Sequence, residues 1–300
     1  MNYKIENKYL EVEIADLGAE LQSIVRKSDG KNLLWNGDKT YWGRRSPLLF
    51  PTLGVCKEGS YLYGGKEYEI GKHGFVKDRV FEVVRQEKDE LWFGLKADEE
   101  TKKSYPFAFA LSVGYVLKNS RMRVYWKVEN KGEETMYFSI GGHPAFNIPI
   151  DGSKRSENFL KFKGVEKLVS TAVNLEYCLI DEEKKDTIAL IPDGKGNGYL
   201  ALTGHLFDND ALLMENSQIN EITYCTPEKK EYLTVSFETP IVGVWSMPGD
   251  DVPFVSIEPW YGRADGLSFN RKLEDKCCGN VLDAGGTWQK FYEIEIHEEE

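Results

Sequence analysis

This sequence has no long apolar run, no basic cluster, few cysteines and few histidines. No stretch approaches the ~18 consecutive apolar residues of a membrane-spanning helix. Lys and Arg number 38 against 49 Asp and Glu, a formal charge of −11. An acidic chain of this kind is a poor partner for nucleic acid or an anionic membrane, and neither is expected. Residues Met1 to Gly18 carry a charge every few positions and lack an apolar core. They do not read as a signal peptide, so a cytoplasmic location is expected. The five cysteines are Cys56, Cys178, Cys225, Cys277 and Cys278, an odd count that does not suggest a disulfide framework. The adjacent Cys277-Cys278 pair lacks the C-x-x-C spacing of a zinc site. Also missing are G-x-G-x-x-G opening a helix, G-x-x-x-x-G-K-[ST], H-E-x-x-H and G-x-S-x-G. No cofactor and no metal are therefore expected.

What is present is an aromatic-rich chain of 300 residues, with 7 Trp, 16 Tyr and 15 Phe. That composition supports a packed core and argues against disorder. Period-2 alternation dominates. Met122, Val124, Trp126 and Val128 alternate with mostly polar residues, and Phe107, Phe109, Leu111, Val113 and Tyr115 before them alternate with small ones. Lys118-Asn119-Ser120 can turn the chain between the two runs, which together predict a hairpin. Leu10 to Ile14, Leu233 to Phe237 and Phe291 to Ile296 read as further strands. Helical period is scarce; only 98–104 and 154–160 have room for a turn or two. Strands without intervening helices predict an all-β protein, in the form of a large antiparallel β-sandwich. No linker or repeat divides the chain, so one domain over residues 1–300 is expected. Glu298-Glu299-Glu300 reads as a frayed acidic end.

Four segments hold the chemistry-bearing residues. Only four histidines occur, and two are flanked by glycine: Lys72-His73-Gly74-Phe75 and Gly142-His143-Pro144-Ala145-Phe146. Glycine permits sharp turns and close ligand approach. His205 reads as a loop residue and His297 as solvent-facing. In the third segment, Ser256-Ile257-Glu258-Pro259-Trp260-Tyr261, a carboxylate closes a strand beside aromatic residues. Burial would raise its pKa and a neighbouring cation would lower it, so proton transfer is tunable. The face of Trp260 suits the apolar face of a pyranose. The fourth is Trp42-Gly43-Arg44-Arg45-Ser46-Pro47. If it is extended, its two arginines face opposite ways and one at most enters a cleft.

Taken in order, these motifs resemble the aldose 1-epimerase (galactose mutarotase-like) family. The resemblance is carried by Trp42 to Pro47 with Phe50-Pro51, Lys72 to Phe75, Gly142 to Phe146 and Glu258-Pro259-Trp260. It implies a β-supersandwich with a sugar cleft, and interconversion of the α and β anomers of a free aldose. By the same resemblance, Glu258 is the general base at the anomeric hydroxyl and His143 the general acid at the ring oxygen. His73 and Arg45 hold the sugar, with Arg44 as the alternative to Arg45. The family's acidic cleft residue corresponds to Asp210 or Asp208. The implied partner is a small-molecule sugar. Some relatives act on sugar phosphates, and Arg44, Arg45, Lys77, Arg79 and Arg263 could supply a phosphate pocket. A non-catalytic carbohydrate-binding protein is the other alternative. A glycoside hydrolase would need a second carboxylate in a setting like that of Glu258.

Overall fold

The computed structural model describes residues 1–250 and 252–298. Glu299 and Glu300 of the acidic end lie outside them. Two large sheets face each other. One has ten strands, running in space from Ile191–Pro192 at one edge to Glu82–Gln86 at the other. Its centre is formed by Glu231–Phe237, Thr287–Ile296, Arg121–Asn130 and Phe109–Lys118. The second has eight strands and includes Leu179–Ala189, Lys167–Asn174, Leu212–Met214, Ile241–Trp245, Phe254–Tyr261 and Ile140–Gly142. Neighbouring strands are antiparallel throughout both, as the alternating pattern predicts. The predicted hairpin forms, with Arg121 opposite Lys118. The two helix-permissive stretches hold one short α-helix, Thr101–Ser104, and one 3-10 turn, Arg155–Glu157.

The core lies between the sheets. The Tyr224 hydroxyl donates to the Val255 carbonyl at 2.7 Å, and that of Tyr232 donates to Asn147 O at 3.2 Å. Both bonds cross from the ten-stranded to the eight-stranded sheet. They satisfy polar groups that burial would otherwise leave unpaired. The Phe254–Tyr261 strand is buried along its whole length. Val255, Ile257 and Tyr261 enter the core between the sheets. The alternate residues Ser256, Glu258 and Trp260 therefore point to the opposite face. Loop residues line that face, together with Val173, Cys178 and Ile180 at the turn end of the hairpin of Lys167–Asn174 and Leu179–Ala189. Glu258 does not close the strand, as the sequence suggested, but sits inside it.

One neighbour of this strand is interrupted. Ile140–Gly142 pairs with it near Trp260 and Tyr261, and Ala145–Asn147 pairs near Phe254 to Ser256. The chain bows out between them at His143-Pro144. The Ile257 amide donates to Pro144 O at 3.2 Å. Two residues on, the same edge carries Pro259, which has no N–H to donate. Proline inside a sheet is tolerated where the ladder is already broken, and the break falls beside Glu258.

Candidate active site

A cavity of about 480 Å³ opens on this outer face, lined by Trp42, Arg44, Lys72, His73, His143, Asp210, Trp245, Glu258 and Trp260 among others. That volume is ordinary for a small-molecule site. Glu258 and His143 meet on its floor, with His143 Nε2 3.2 Å from Glu258 Oε1. The Ser256 hydroxyl, two residues along the same strand face, donates to Glu258 Oε1 at 2.8 Å. His143 is fixed from three sides. Its amide donates to Pro47 O at 3.1 Å, Trp42 stacks on its ring at 4.6 Å, and the edge of Trp245 meets it at 5.6 Å. Gly141 permits the approach, because a Cβ there would lie 2.5 Å from the Trp260 ring.

Burial decides the protonation of this pair. Loss of solvent pushes the Glu258 carboxyl up from 4.5 to about 8; Ser256 and Lys72 pull the other way, and the Asp210 charge adds to the rise. The same loss of solvent takes His143 from 6.5 down to about 3. At neutral pH the pair therefore holds one proton and no net charge. A proton shift across the 3.2 Å contact converts it to carboxylate and imidazolium without exchange with solvent. A site that must remove one proton and deliver another needs such a reservoir.

His73 approaches His143 edge-on, with ring centroids 6.0 Å apart. The Gly54 amide donates to His73 Nδ1 at 3.1 Å, and the His73 amide donates back to Gly54 O at 2.8 Å. With Nδ1 accepting, a neutral ring carries its proton on Nε2. Burial, followed by the nearby His143, Lys72 and Lys77, holds the His73 pKa well below 6.5. His73 has φ +66° and Gly74 φ +69°, and a Cβ on Gly74 would lie 2.1 Å from Phe50 O. Only glycine allows that turn, which presents the imidazole to the cavity.

The arginine assignment is corrected. Arg45 does not line the cavity; its Nη1 donates to Gln22 O at 2.6 Å. Glu20 Oε1 accepts from the amides of both Arg45 and Ser46, at 2.9 and 3.0 Å, and fixes the chain so that Arg44 faces the cavity. Of the two aspartates, Asp210 lines the cavity, whereas Asp208 pairs with the exposed His205 at 2.8 Å. His297 is not solvent-facing: it is half-buried, with Nε2 2.8 Å from Thr234 Oγ1. Of the other basic residues, Lys77 lines the cavity, while Arg79 is paired with Asp98 and Arg263 with Glu182 and Glu215. The role of Trp42 as a ring stacked on His143, and the presence of Lys72 and Trp245, had not been read from the sequence. The only signal for Trp245 is its place at the end of an apolar run, just before Met247-Pro248-Gly249. Among the described residues no group of three or more His, Cys, Asp or Glu side chains is placed to hold a metal. Among them, too, no helix is long and apolar enough to cross a membrane.

The antiparallel β-sandwich that carries this cavity is the fold of galactose mutarotase-like proteins. The chain belongs to the aldose 1-epimerase family, whose model matches residues 1–195. It is 31% identical to the plasmid-encoded protein LacX of Lactococcus lactis subsp. lactis, over 99% of both chains. A galactose mutarotase related enzyme from Lactobacillus acidophilus superimposes with a TM-score of 0.91 at 34% identity, covering 99% of this chain and 98% of that one. A galactose mutarotase-like protein from Lactobacillus casei gives 0.89 at 29% identity, covering 99% and 100%.

Proposed function

We propose that this protein is an aldose 1-epimerase that interconverts the α and β anomers of a free aldose hexose by acid–base ring opening. The observation that carries the reading is the 3.2 Å contact of His143 Nε2 with Glu258 Oε1, buried on the floor of the cavity. In the ionised form of the pair, Glu258 takes the proton of the anomeric hydroxyl and His143 delivers one to the ring oxygen. The ring opens to the aldehyde, the C1–C2 bond rotates, and closure with the roles reversed gives the other anomer. His73, with Nε2–H available, and Asp210 and Arg44 on the walls hold the hydroxyls. Trp260 supplies an apolar face. The likeness to proteins described as galactose mutarotase-like supports the same chemistry.

A sugar phosphate is the second reading, because Arg44, Lys72 and Lys77 all line the cavity. Two of these charges are already engaged. Arg44 pairs with Asp78, and Lys77 donates to the Lys72 carbonyl at 3.1 Å and also pairs with Asp78, at 3.4 Å. That leaves Lys72, and a single lysine is weak provision for a phosphate dianion, so the free sugar is favoured.

The test is exchange NMR of the anomeric protons of glucose, galactose and glucose 6-phosphate against a buffer blank. Enzyme should raise α–β exchange of a free hexose, and Glu258→Gln should cut the gain by about 10²–10⁴-fold. A Gln variant with full activity would overturn the role of Glu258. Saturable sugar binding without a rate above the blank would make the protein a binding module.

A further inference from the structure

Away from the cavity, a turn follows the 3-10 segment Leu273–Asp275 and carries two adjacent exposed thiols. Cys277 Sγ and Cys278 Sγ lie 3.6 Å apart. Cys278 has φ +55°, so the turn already holds a left-handed residue at this point. Beneath it is Arg263, only 6% exposed. Its Nη2 pairs with Glu182 and its Nε lies 3.1 Å from Glu215 Oε1, while its Nη1 is buried without a hydrogen-bond partner. The guanidinium faces the Cys277 thiol. A cation with unspent donors beside a thiol favours the thiolate. Glu215 opposes this, but it is already paired with Arg263. Either thiol could donate across their contact on geometry alone; the cation beside Cys277 makes them unequal and favours Cys278 as donor and Cys277 as acceptor. This contact, with Arg263 behind it, holds the Cys277 thiol down to about 6, and the Cys278 thiol is pushed up.

We propose that Cys277 and Cys278 are a redox-modification site for hydroperoxides, with Cys277 as the nucleophile and Cys278 as the resolving thiol. In the first step the Cys277 thiolate attacks the distal oxygen of ROOH. The S–O bond forms, the O–O bond breaks, and RO⁻ leaves and takes a proton from water. Sulfur is oxidised to the sulfenic acid and the peroxide is reduced to the alcohol. In the second step Cys278 gives up its proton and attacks the Cys277 sulfur. The S–S bond forms, the S–O bond breaks, and the hydroxide leaves as water. The sum is two thiols plus ROOH giving a disulfide, ROH and H₂O. Adjacent Cα atoms are about 3.8 Å apart across a trans peptide, below the ~4.4–6.8 Å usual for a disulfide. The ring is therefore strained and readily reduced, which makes the modification reversible.

The magnitudes select the experiment. At pH 6 a thiol that titrates near pH 6 is half ionised, against about 0.3% for an ordinary cysteine. Its lower basicity gives back about a factor of 13 in nucleophilicity, leaving a rate advantage of about tenfold. Intact protein is labelled with iodoacetamide at pH 6 and each cysteine peptide is followed by mass spectrometry. Cys277 should label about tenfold faster than Cys178, the partly exposed thiol in the same molecule. Hydrogen peroxide should then give a dithiothreitol-reversible loss of two hydrogens within the Cys277-Cys278 peptide. Cys278→Ser should instead trap a dimedone adduct on Cys277, and Cys277→Ser should give neither product. Equal labelling of Cys277 and Cys178, or oxidation that yields only disulfide-linked dimers, would overturn the proposal. The labelling arm uses unsubstituted protein and does not depend on how the variants fold.

Discussion

The Arg121–Asn130 strand buries every second residue, whereas all of Phe254–Tyr261 is buried. Both strands lie inside large sheets. In the first, Met122, Val124, Trp126 and Val128 face the core and Arg121, Arg123 and Lys127 face water. In the second, Val255 and Ile257 face the same core, but Ser256, Glu258 and Trp260 face a cavity roofed by loops. A strand covered on both faces has no solvated side on which to place polar groups. Any it carries must find partners, and Glu258 finds Ser256 and His143. Stability and chemistry are thus divided between two strands of the same fold.

That division can be broken from the chemical side first. His143→Gln keeps a polar side chain beside Glu258 but cannot shuttle a proton. Catalysed anomer exchange should fall by about 10²–10⁴-fold, with the melting temperature changed by a few degrees at most. A variant that loses stability and keeps its rate would reverse the assignment. The complementary change is Met122→Ala on the first strand. It should cost about 2–5 kcal/mol in denaturant unfolding, while the folded fraction keeps its rate per molecule.

Stability against pH gives a subtler separation. Glu258 is raised in the fold from 4.5 to about 8, so its contribution is full below about pH 4.5 and is lost as pH rises through 8. His143 is depressed from 6.5 to about 3, so its contribution is full above about pH 6.5 and is lost as pH falls through 3. Between 4.5 and 6.5 the two slopes oppose, and between 6.5 and 8 Glu258 acts alone. Melting curves from pH 5 to 8.5 should show a decline above pH 6.5 that is reduced in Glu258→Gln. An unchanged decline would place its source elsewhere. The smallest effect separates the two arginines. Arg44→Ala should raise KM for the sugar several-fold with little change in kcat, and Arg45→Ala should leave KM unchanged.

The same contrast explains what could be read from the sequence. Alternation identifies the Phe109–Lys118 and Arg121–Asn130 hairpin because water on one side enforces period two. It says little about Phe254–Tyr261, where both faces are covered, and so Glu258 reads as a strand end. The motifs around His73, His143 and Glu258 stand out because glycine and proline mark special backbone there. Val173, Cys178, Leu213 and Trp245 line the cavity without any local signature. They are brought together by strand order, and pairing between distant segments has no local sequence signal. The choice of Arg44 over Arg45 depended on Glu20, more than twenty residues upstream.

The place of the Thr287–Ile296 strand bears on how the chain is made. It pairs on one side with Arg121–Asn130 and on the other with Glu231–Phe237, in the middle of the ten-stranded sheet. During synthesis both of those strands emerge from the ribosome before their shared partner exists. Each then presents an open edge, and the two halves of the sheet have no seam to join them. The protein should therefore complete its fold only once residue 296 is free of the exit tunnel. Nascent chains stalled short of that point should be held by chaperones or aggregate through those edges.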